Sequence, residues 1–213
     1  MAPLLRCFEQ RQKILSAYAE GLQNKRWEIS FAYLRKKEKM LYNDQEWGQK
    51  DVELEKIVDL PLLVPEATLE MSVAGISKNY PDHNWLLNKG WKFSEDLNII
   101  NNSLIDYRNY IQHSFGEFSV AKETYVKANT GWFSDRSACY LAAGRPVVVQ
   151  ETQWSKFIPK GKGALSFSTV ESAKLAVEDI IHNYKMHSNA AKELANEYFD
   201  SSKVLSAMID QIN

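Results

Sequence analysis

Residues Gly116 to Thr169 read GEFSVAKETYVKANTGWFSDRSACYLAAGRPVVVQETQWSKFIPKGKGALSFST. Two short β-rich runs, Phe118–Ala121 and Pro146–Gln150, flank a segment with helical spacing, and a third run, Ala164–Phe167, follows a Lys- and Gly-rich loop. Strand, helix and strand in that order predict a βαβ unit, because a crossover helix is what lets two parallel strands pair. The run Pro146-Val-Val-Val-Gln150 is apolar at successive positions, which suits a strand covered by helices on both faces.

Working outward toward the C-terminus, Ser168 or Thr169 opens a helix whose first turn carries Glu171 and Ser172. Ala173, Ala176, Val177, Ile180, Ile181 and Tyr184 form its apolar stripe. Two more helices are predicted, over Ser188–Tyr198 and Ser202–Ile212. Toward the N-terminus, Ser103 caps a helix over Leu104–His113, and Trp91–Phe93 is a short strand. Asp82 caps a helix over His83–Asn88 that stops at Lys89-Gly90, and Thr68–Val73 reads as the first strand. Alternating strands and helices predict an α/β, doubly wound sheet. Residues 41–66 read as a Pro-bounded connector. Residues 4–24 have imperfect helical spacing, and 25–40 combine aromatics with a basic cluster at Arg35, Lys36, Lys37 and Lys39. That cluster is a solvated helix face or, alternatively, a membrane-surface or RNA-binding face.

The 213 residues carry 45% hydrophobic side chains, enough for a sizeable core, and a net charge of −1 that gives no global field for nucleic acid. Residues 1–50 hold ten Lys/Arg against six Asp/Glu. Cys7 and Cys139 stand 132 positions apart in no metal spacing and read as reduced thiols of a cytoplasmic protein. Cys139 reads as a small buried hydrophobe on a helix face, and His182 and His187 as surface residues. No apolar run reaches the roughly 18 residues of a membrane span, and the N-terminus lacks a secretory apolar region. Neither GxSxG nor GxxxxGK[ST] occurs, which argues against serine hydrolase and P-loop chemistry.

In open α/β sheets ligands bind beyond the carboxyl ends of the strands, where helix N-termini offer amides to anions. Four loops have that position: Gly75–Lys78, Lys122–Thr124, Thr130–Arg136 and Glu151–Trp154. In the third, Ser134 or Asp135 caps the central helix and Arg136 sits on its first turn. An Asp there can accept from a ribose diol, and an Arg can hold a phosphate by two parallel bonds. The competing reading is structural: Asp135 only caps, and Arg136 only pairs with a neighbour such as Asp135 or Glu151. Lys122, beside a strand end, is a further phosphate contact. No cluster of His, Cys, Asp and Glu has metal-ligand spacing.

The pattern WFSDRSACYLAAGRPVVVQET, then FIPKGKGALSFST, then helices ending in AKELANEYFD, resembles the C-terminal, donor-binding half of a bacterial GT-B glycosyltransferase, family-1-like and of CgeB/YkvP type. The resemblance covers about residues 67–205 and implies a Rossmann-like parallel sheet with C-terminal helices. It also implies a nucleotide-sugar donor as substrate and no further cofactor or metal. Its implied donor contacts are Lys122, Arg136, Ser134 with the following amides, Asp135 for the ribose, and Thr152 for the donor's sugar or phosphate. Many members carry two Glu eight positions apart; counted back from Gly144 those places are Gly131 and Cys139, so the usual ribose carboxylate is missing.

The expected organisation is a helical arm and connector over 1–66 followed by a nucleotide-sugar-binding domain over 67–213. The expected function is transfer, or help in transfer, of a glycosyl group, the chain being either a truncated gene product or one that works with a separate partner chain supplying the acceptor-binding half. The alternative is a non-catalytic interaction module in which the arm's Trp27, Phe31, Tyr33 and Leu34 pack on a partner or a second copy.

Overall fold

A computed structural model describes residues 26–31, 39–73, 81–94 and 103–212. Six strands form one sheet: β1 (Arg26–Phe31), β4 (Thr68–Val73), β5 (Lys92–Phe93), β6 (Gly116–Ser119), β7 (Val147–Gln150) and β8 (Ala164–Phe167). A separate antiparallel hairpin pairs β2 (Met40–Tyr42) with β3 (Gln45–Trp47). Across the sheet the order is β5-β4-β1-β6-β7-β8, with every neighbouring pair parallel. Counted along the chain that is third, second, first, fourth, fifth, sixth. In this doubly wound arrangement the winding reverses between β1 and β6, which is where such folds bind ligands.

The helices are α1 (Lys50–Glu55), α2 (Leu60–Leu63), α3 (Pro81–Asn88), α4 (Leu104–His113), α5 (Glu123–Lys127), α6 (Asp135–Ala142), α7 (Val170–His182), α8 (Tyr184–Tyr198) and α9 (Ser201–Asp210). A core with Leu54, Ile57, Leu60, Phe118, Val148 and Val177 fills one face of the sheet. A second core, with Tyr140, Leu141, Val147, Val149, Trp154 and Leu194, fills the other. Val148 therefore faces opposite to Val147 and Val149, which explains why β7 is apolar at consecutive positions.

The fold is the expected one: α/β, a Rossmann-like parallel sheet with C-terminal helices. Ser103 accepts from the Asp106 amide, Thr169 and Ser172 cap α7 reciprocally, and Gly90 ends its turn with φ +88°.

The sheet takes in residues that the sequence reading assigns to an arm and connector. Among the described residues the first strand is β1, not Thr68–Val73, and it pairs with both β4 and β6 in the middle of the sheet. Trp27 is fully buried, 5.5 Å from the Phe115 ring, so it fills the core and packs on no partner. The supposed connector is folded too, since α1 and α2 bury Leu54, Ile57, Val58 and Leu60, and the Trp91 indole donates to the Val58 carbonyl at 2.8 Å. The run Arg26-Trp-Glu-Ile-Ser-Phe31 alternates polar and apolar residues, a strand signal that the adjacent basic cluster obscures. The helix expected over 4–24, Arg35–Lys37, Tyr33 and Leu34 lie outside the described residues.

Three smaller differences have local causes. β6 begins at Gly116 because its bare backbone fits between the Pro146 carbonyl and the Trp27 ring; a Cβ there would lie 2.6 and 2.9 Å from them. α8 begins at Tyr184, not Ser188, because the Tyr184 hydroxyl is buried, donating to the Phe115 carbonyl at 2.9 Å and accepting from Arg145 at 2.9 Å. His187 is fully buried, not on the surface; its Nδ1 accepts from the Gly163 amide at 3.2 Å, which puts the proton on Nε2, 3.2 Å from Asp179.

Candidate functional site at the carboxyl ends of the strands

The chain leaving β6 turns through Val120 and Ala121 into α5, with Lys122 at its N-cap. The Ala121 amide donates to Gln150 Oε1 at 3.0 Å, and Gln150 Nε2 donates to Glu53 Oε2 at 2.5 Å. One amide side chain at the end of β7 thus ties the β6 exit to α1. A second tie fixes the start of α1: the Gly48 amide donates to Glu123 Oε2 at 2.6 Å. Gly48 is needed for that approach, since a Cβ there would stand 2.7 Å from the same oxygen and 2.6 Å from Val52. Burial alone would push the Glu123 carboxyl up, but the Lys127 ammonium at 2.9 Å and the Gly48 amide outweigh it and hold it below the usual carboxylate range.

These ties place Lys50, the first residue of α1, over the face of Trp132, its Nζ 5.5 Å from the ring centroid. Trp132 stacks on Tyr125 at 5.4 Å, and Lys122 lies 5.5 Å from the Tyr125 centroid on its own side. Lys50 is half-buried. Burial, and next the Arg136 guanidinium, push its ammonium down to about 8, while Glu117 and Asp135 pull it up and Lys122 pushes it down.

The loop before α6 is tied to the loop after β7. The Gly131 amide donates to the Thr152 carbonyl at 2.7 Å, and the Thr152 hydroxyl donates to the Trp132 carbonyl at 2.7 Å. Thr152, expected from the sequence to contact the donor's sugar or phosphate, is fully buried, and its hydroxyl braces the loop. Ser134 is the N-cap of α6, but its side chain makes no cap bond; its hydroxyl lies 3.4 Å from Asp135 Oδ1. Asp135 is exposed, and Oδ1 accepts from the Arg136 amide at 2.9 Å. The first turn of α6 is therefore capped by Asp135 at the Arg136 amide and not by the Ser134 side chain.

Arg136 pairs with neither Asp135 nor Glu151. Its Nε donates to Glu117 Oε1 at 2.7 Å, and Glu117 is fully buried on β6. Sequence reading missed Lys50 and Glu117. Lys50 lies in the supposed connector, and Glu117 stands beside the predicted strand with nothing local to mark it. The structure brings Lys122, Asp135 and Arg136 to the N-terminal end of α6 with Lys50, and gives Ser134 and Thr152 largely structural contacts. Cys139, at the place where the family pattern has an acid, is exposed on α6 rather than buried. Among the described residues no three His, Cys, Asp or Glu side chains converge to hold a metal, and no helix is long and apolar enough to cross a membrane.

With a parallel sheet in this order and C-terminal helices packed on it, the chain has a glycosyltransferase-like, GT-B-type fold. It aligns with the crystal structure of TarM at a TM-score of 0.55 and 11% identity, over 89% of this chain and 36% of that one. It also aligns with Os79 from O. sativa in complex with U2F and trichothecene (TM-score 0.45, 10% identity, 92% of this chain and 44% of that one). A further alignment is with the wall teichoic acid polymerase TagF (TM-score 0.39, 11% identity, 95% and 47%). The chain thus spans well under two thirds of each of these proteins. No family model and no curated protein matches the sequence.

Proposed function

We propose that this chain binds a nucleotide-diphosphate sugar past the carboxyl ends of β6 and β7 and serves glycosyl transfer to an acceptor, as a donor-binding unit of the bacterial family-1-like, CgeB/YkvP type. The observation that carries the reading is the placement of Lys50 over the ring of Trp132, in the loop that enters α6, with Arg136 on the first turn of that helix and Lys122 against Tyr125, on which Trp132 stacks. Amides of a helix start and basic side chains are the groups that neutralise a leaving diphosphate without a metal. In this reading the α6 amides after Ser134 and the Lys50 and Lys122 ammoniums take the phosphates. Asp135, exposed at the rim, accepts from the ribose, and Arg136 fixes the charge of Glu117 beneath them. Among the described residues of the site none is assigned as the catalytic base, and the acceptor half is supplied by another domain or chain.

The test is a panel of UDP-, GDP- and dTDP-sugars in thermal-shift and calorimetric titrations. Stabilisation that grows with ligand concentration is the expected outcome. No shift with any of them at millimolar concentration overturns the reading.

The non-catalytic alternative, an interaction module, gains one observation: Leu205, Met208 and Ile209 of α9 are 57 to 58% exposed and no residue of that helix is buried. A strictly monomeric chain that binds a nucleotide sugar would remove its support.

A further inference from the structure

The loop between β7 and β8 is pinned to α8 at its last residue. Pro159, Lys160, Gly161 and Lys162 form one wall of a cleft of about 650 Å³, and Glu193 and Tyr198 of α8 stand on the other. Where that wall ends, Gly163 lies flush on the α8 backbone: a Cβ there would stand 2.5 Å from the Ala191 nitrogen, and its φ of +77° suits glycine. A side chain one turn earlier on α8 closes the contact. The Gly163 amide donates to His187 Nδ1 at 3.2 Å, and the imidazole is fully buried. The Gly163 carbonyl accepts from the Val147 amide at 2.9 Å, so the same residue starts the pairing of β8 with β7.

The bond to Nδ1 exists only with a neutral ring. An imidazolium carries a hydrogen on both nitrogens and has no lone pair for the Gly163 N–H. Protonation would set two donors against each other at 3.2 Å away from solvent, and a buried donor without an acceptor is costly. Of the charged groups on the elements around the ring, α7 presents Asp179, whose Oδ2 lies 3.2 Å from Nε2. Lys160 and Lys162 of the loop are exposed, and Lys192 of α8 lies along Gly144. Arg145, in the turn after α6, faces the Tyr184 hydroxyl and the Gln112 carbonyl. Burial holds the imidazole below its ordinary value, against the opposing pull of Asp179.

We propose that His187 is an acid-released latch: neutral, it holds the β7–β8 loop on α8; protonated at Nδ1 by solvent, it drops the Gly163 amide and frees that wall of the cleft. The latch lies at the amino end of β8, the opposite end of the sheet from Lys122 and Arg136, and works whatever the carboxyl ends bind. The opened state takes up the proton more readily than the closed one. The latch is therefore whole above about pH 7 and weakens as pH falls below about 6.5, the ordinary histidine value. Its closed-to-open ratio falls by at most about tenfold for each pH unit.

The experiment follows amide hydrogen exchange and the His187 ring signals of the full chain by NMR from about pH 7 to about pH 5, with exchange corrected for its intrinsic pH dependence. Protection of the Gly163 amide should be constant near pH 7 and fall by up to about tenfold per pH unit below about 6.5, while Val149, within β7, keeps its protection. His187→Asn supplies an amide oxygen near the place of Nδ1 that does not titrate, and it should make Gly163 protection flat across the range. His187→Leu should lose that protection already at pH 7. Circular dichroism checks that each variant is folded, and the wild-type measurements decide the question if neither is. A His187 ring that titrates at its ordinary value or above overturns the latch, as does equal Gly163 protection at both ends of the range. Parallel loss at Gly163 and Val149 would mean unfolding of the whole sheet, and a wild-type slope in a folded His187→Asn would assign the pH dependence to other groups; either result overturns it too.

Discussion

The two halves of the sheet are built from the same parts and held by different means. From β6 to β8 the five-residue α5, the eight-residue α6 and a loop braced by Thr152 carry the chain between strands that are almost wholly buried. From β1 to β4 the crossover carries the β2–β3 hairpin and helices of only six and four residues. Helices that short are not stable by themselves. They persist because distant residues grip them: Gln150 holds Glu53 across 97 positions, and Glu123 holds Gly48 across 75. The candidate site lies where the two halves meet, with Lys50 from one and Arg136 from the other.

The comparison breaks most directly if the N-terminal half is dispensable. Removing residues 1–66 takes out β1, the central strand, and the remaining 67–213 should show no cooperative urea transition. Within the full chain, Trp27→Ala should cost about 3–5 kcal/mol, the range for deleting a large buried aromatic side chain. A cooperatively folding 67–213 fragment would restore the arm-plus-domain division.

Arg136→Ala comes next. An exposed first-turn arginine would leave stability nearly unchanged, but this one faces a fully buried carboxylate. Its loss should cost about 3–5 kcal/mol by stranding Glu117, and Glu117→Gln combined with Arg136→Met should recover most of it. Urea unfolding of the three proteins measures both, and an unchanged midpoint in Arg136→Ala would show that the pair is not what holds this junction. Gly116→Ala, which pushes a Cβ against the Pro146 carbonyl and the Trp27 ring, should cost about 1–3 kcal/mol.

The junction should also be visible in alkali. Lys50 titrates near 8 when folded against 10.5 as the ordinary value, so between those pH values the unfolded chain binds more protons. Stability then rises with pH across that window, by at most about 1.4 kcal/mol per pH unit from this group. Below pH 8 both states are protonated and the contribution is flat. Comparing wild type with Lys50→Met from pH 7 to 10 isolates it, and identical slopes would remove the buried-lysine account.

What could be read from the chain follows the same division. The β6–β8 unit, the caps at Ser103 and Thr169 and the stop at Gly90 are written in neighbouring residues, so spacing discloses them. Arg136 was legible as a residue of interest because it opens a helix after a turn, yet its partner Glu117 lies 19 positions away on a strand. Lys50 was illegible: its place over Trp132 depends on Gly48, Glu123, Gln150 and Glu53, contacts that no local pattern encodes. Trp27 was legible through the alternation of its strand, but the charge of the residues that follow outweighed that signal.

The smallest expected effect tests the local side of the comparison. Thr169 Oγ1 accepts from the Ser172 amide at 3.2 Å, and Ser172 Oγ accepts from the Thr169 amide at 3.0 Å. Thr169 is exposed and Ser172 partly so, so losing one partner lets water replace it rather than stranding a buried group. Thr169→Ala should therefore cost only about 1 kcal/mol, as N-cap replacements usually do. Ser172→Ala should cost no more, and the double variant should cost less than the two separately, because each removes part of one reciprocal pair. The signal easiest to read in the sequence is thus expected to be several times weaker than the Glu117–Arg136 contact, whose partner could not be read. A Thr169→Ala cost equal to that of Arg136→Ala would mean that capping, not long-range gripping, sets the stability of this sheet, and the contrast between its halves would lose its energetic basis.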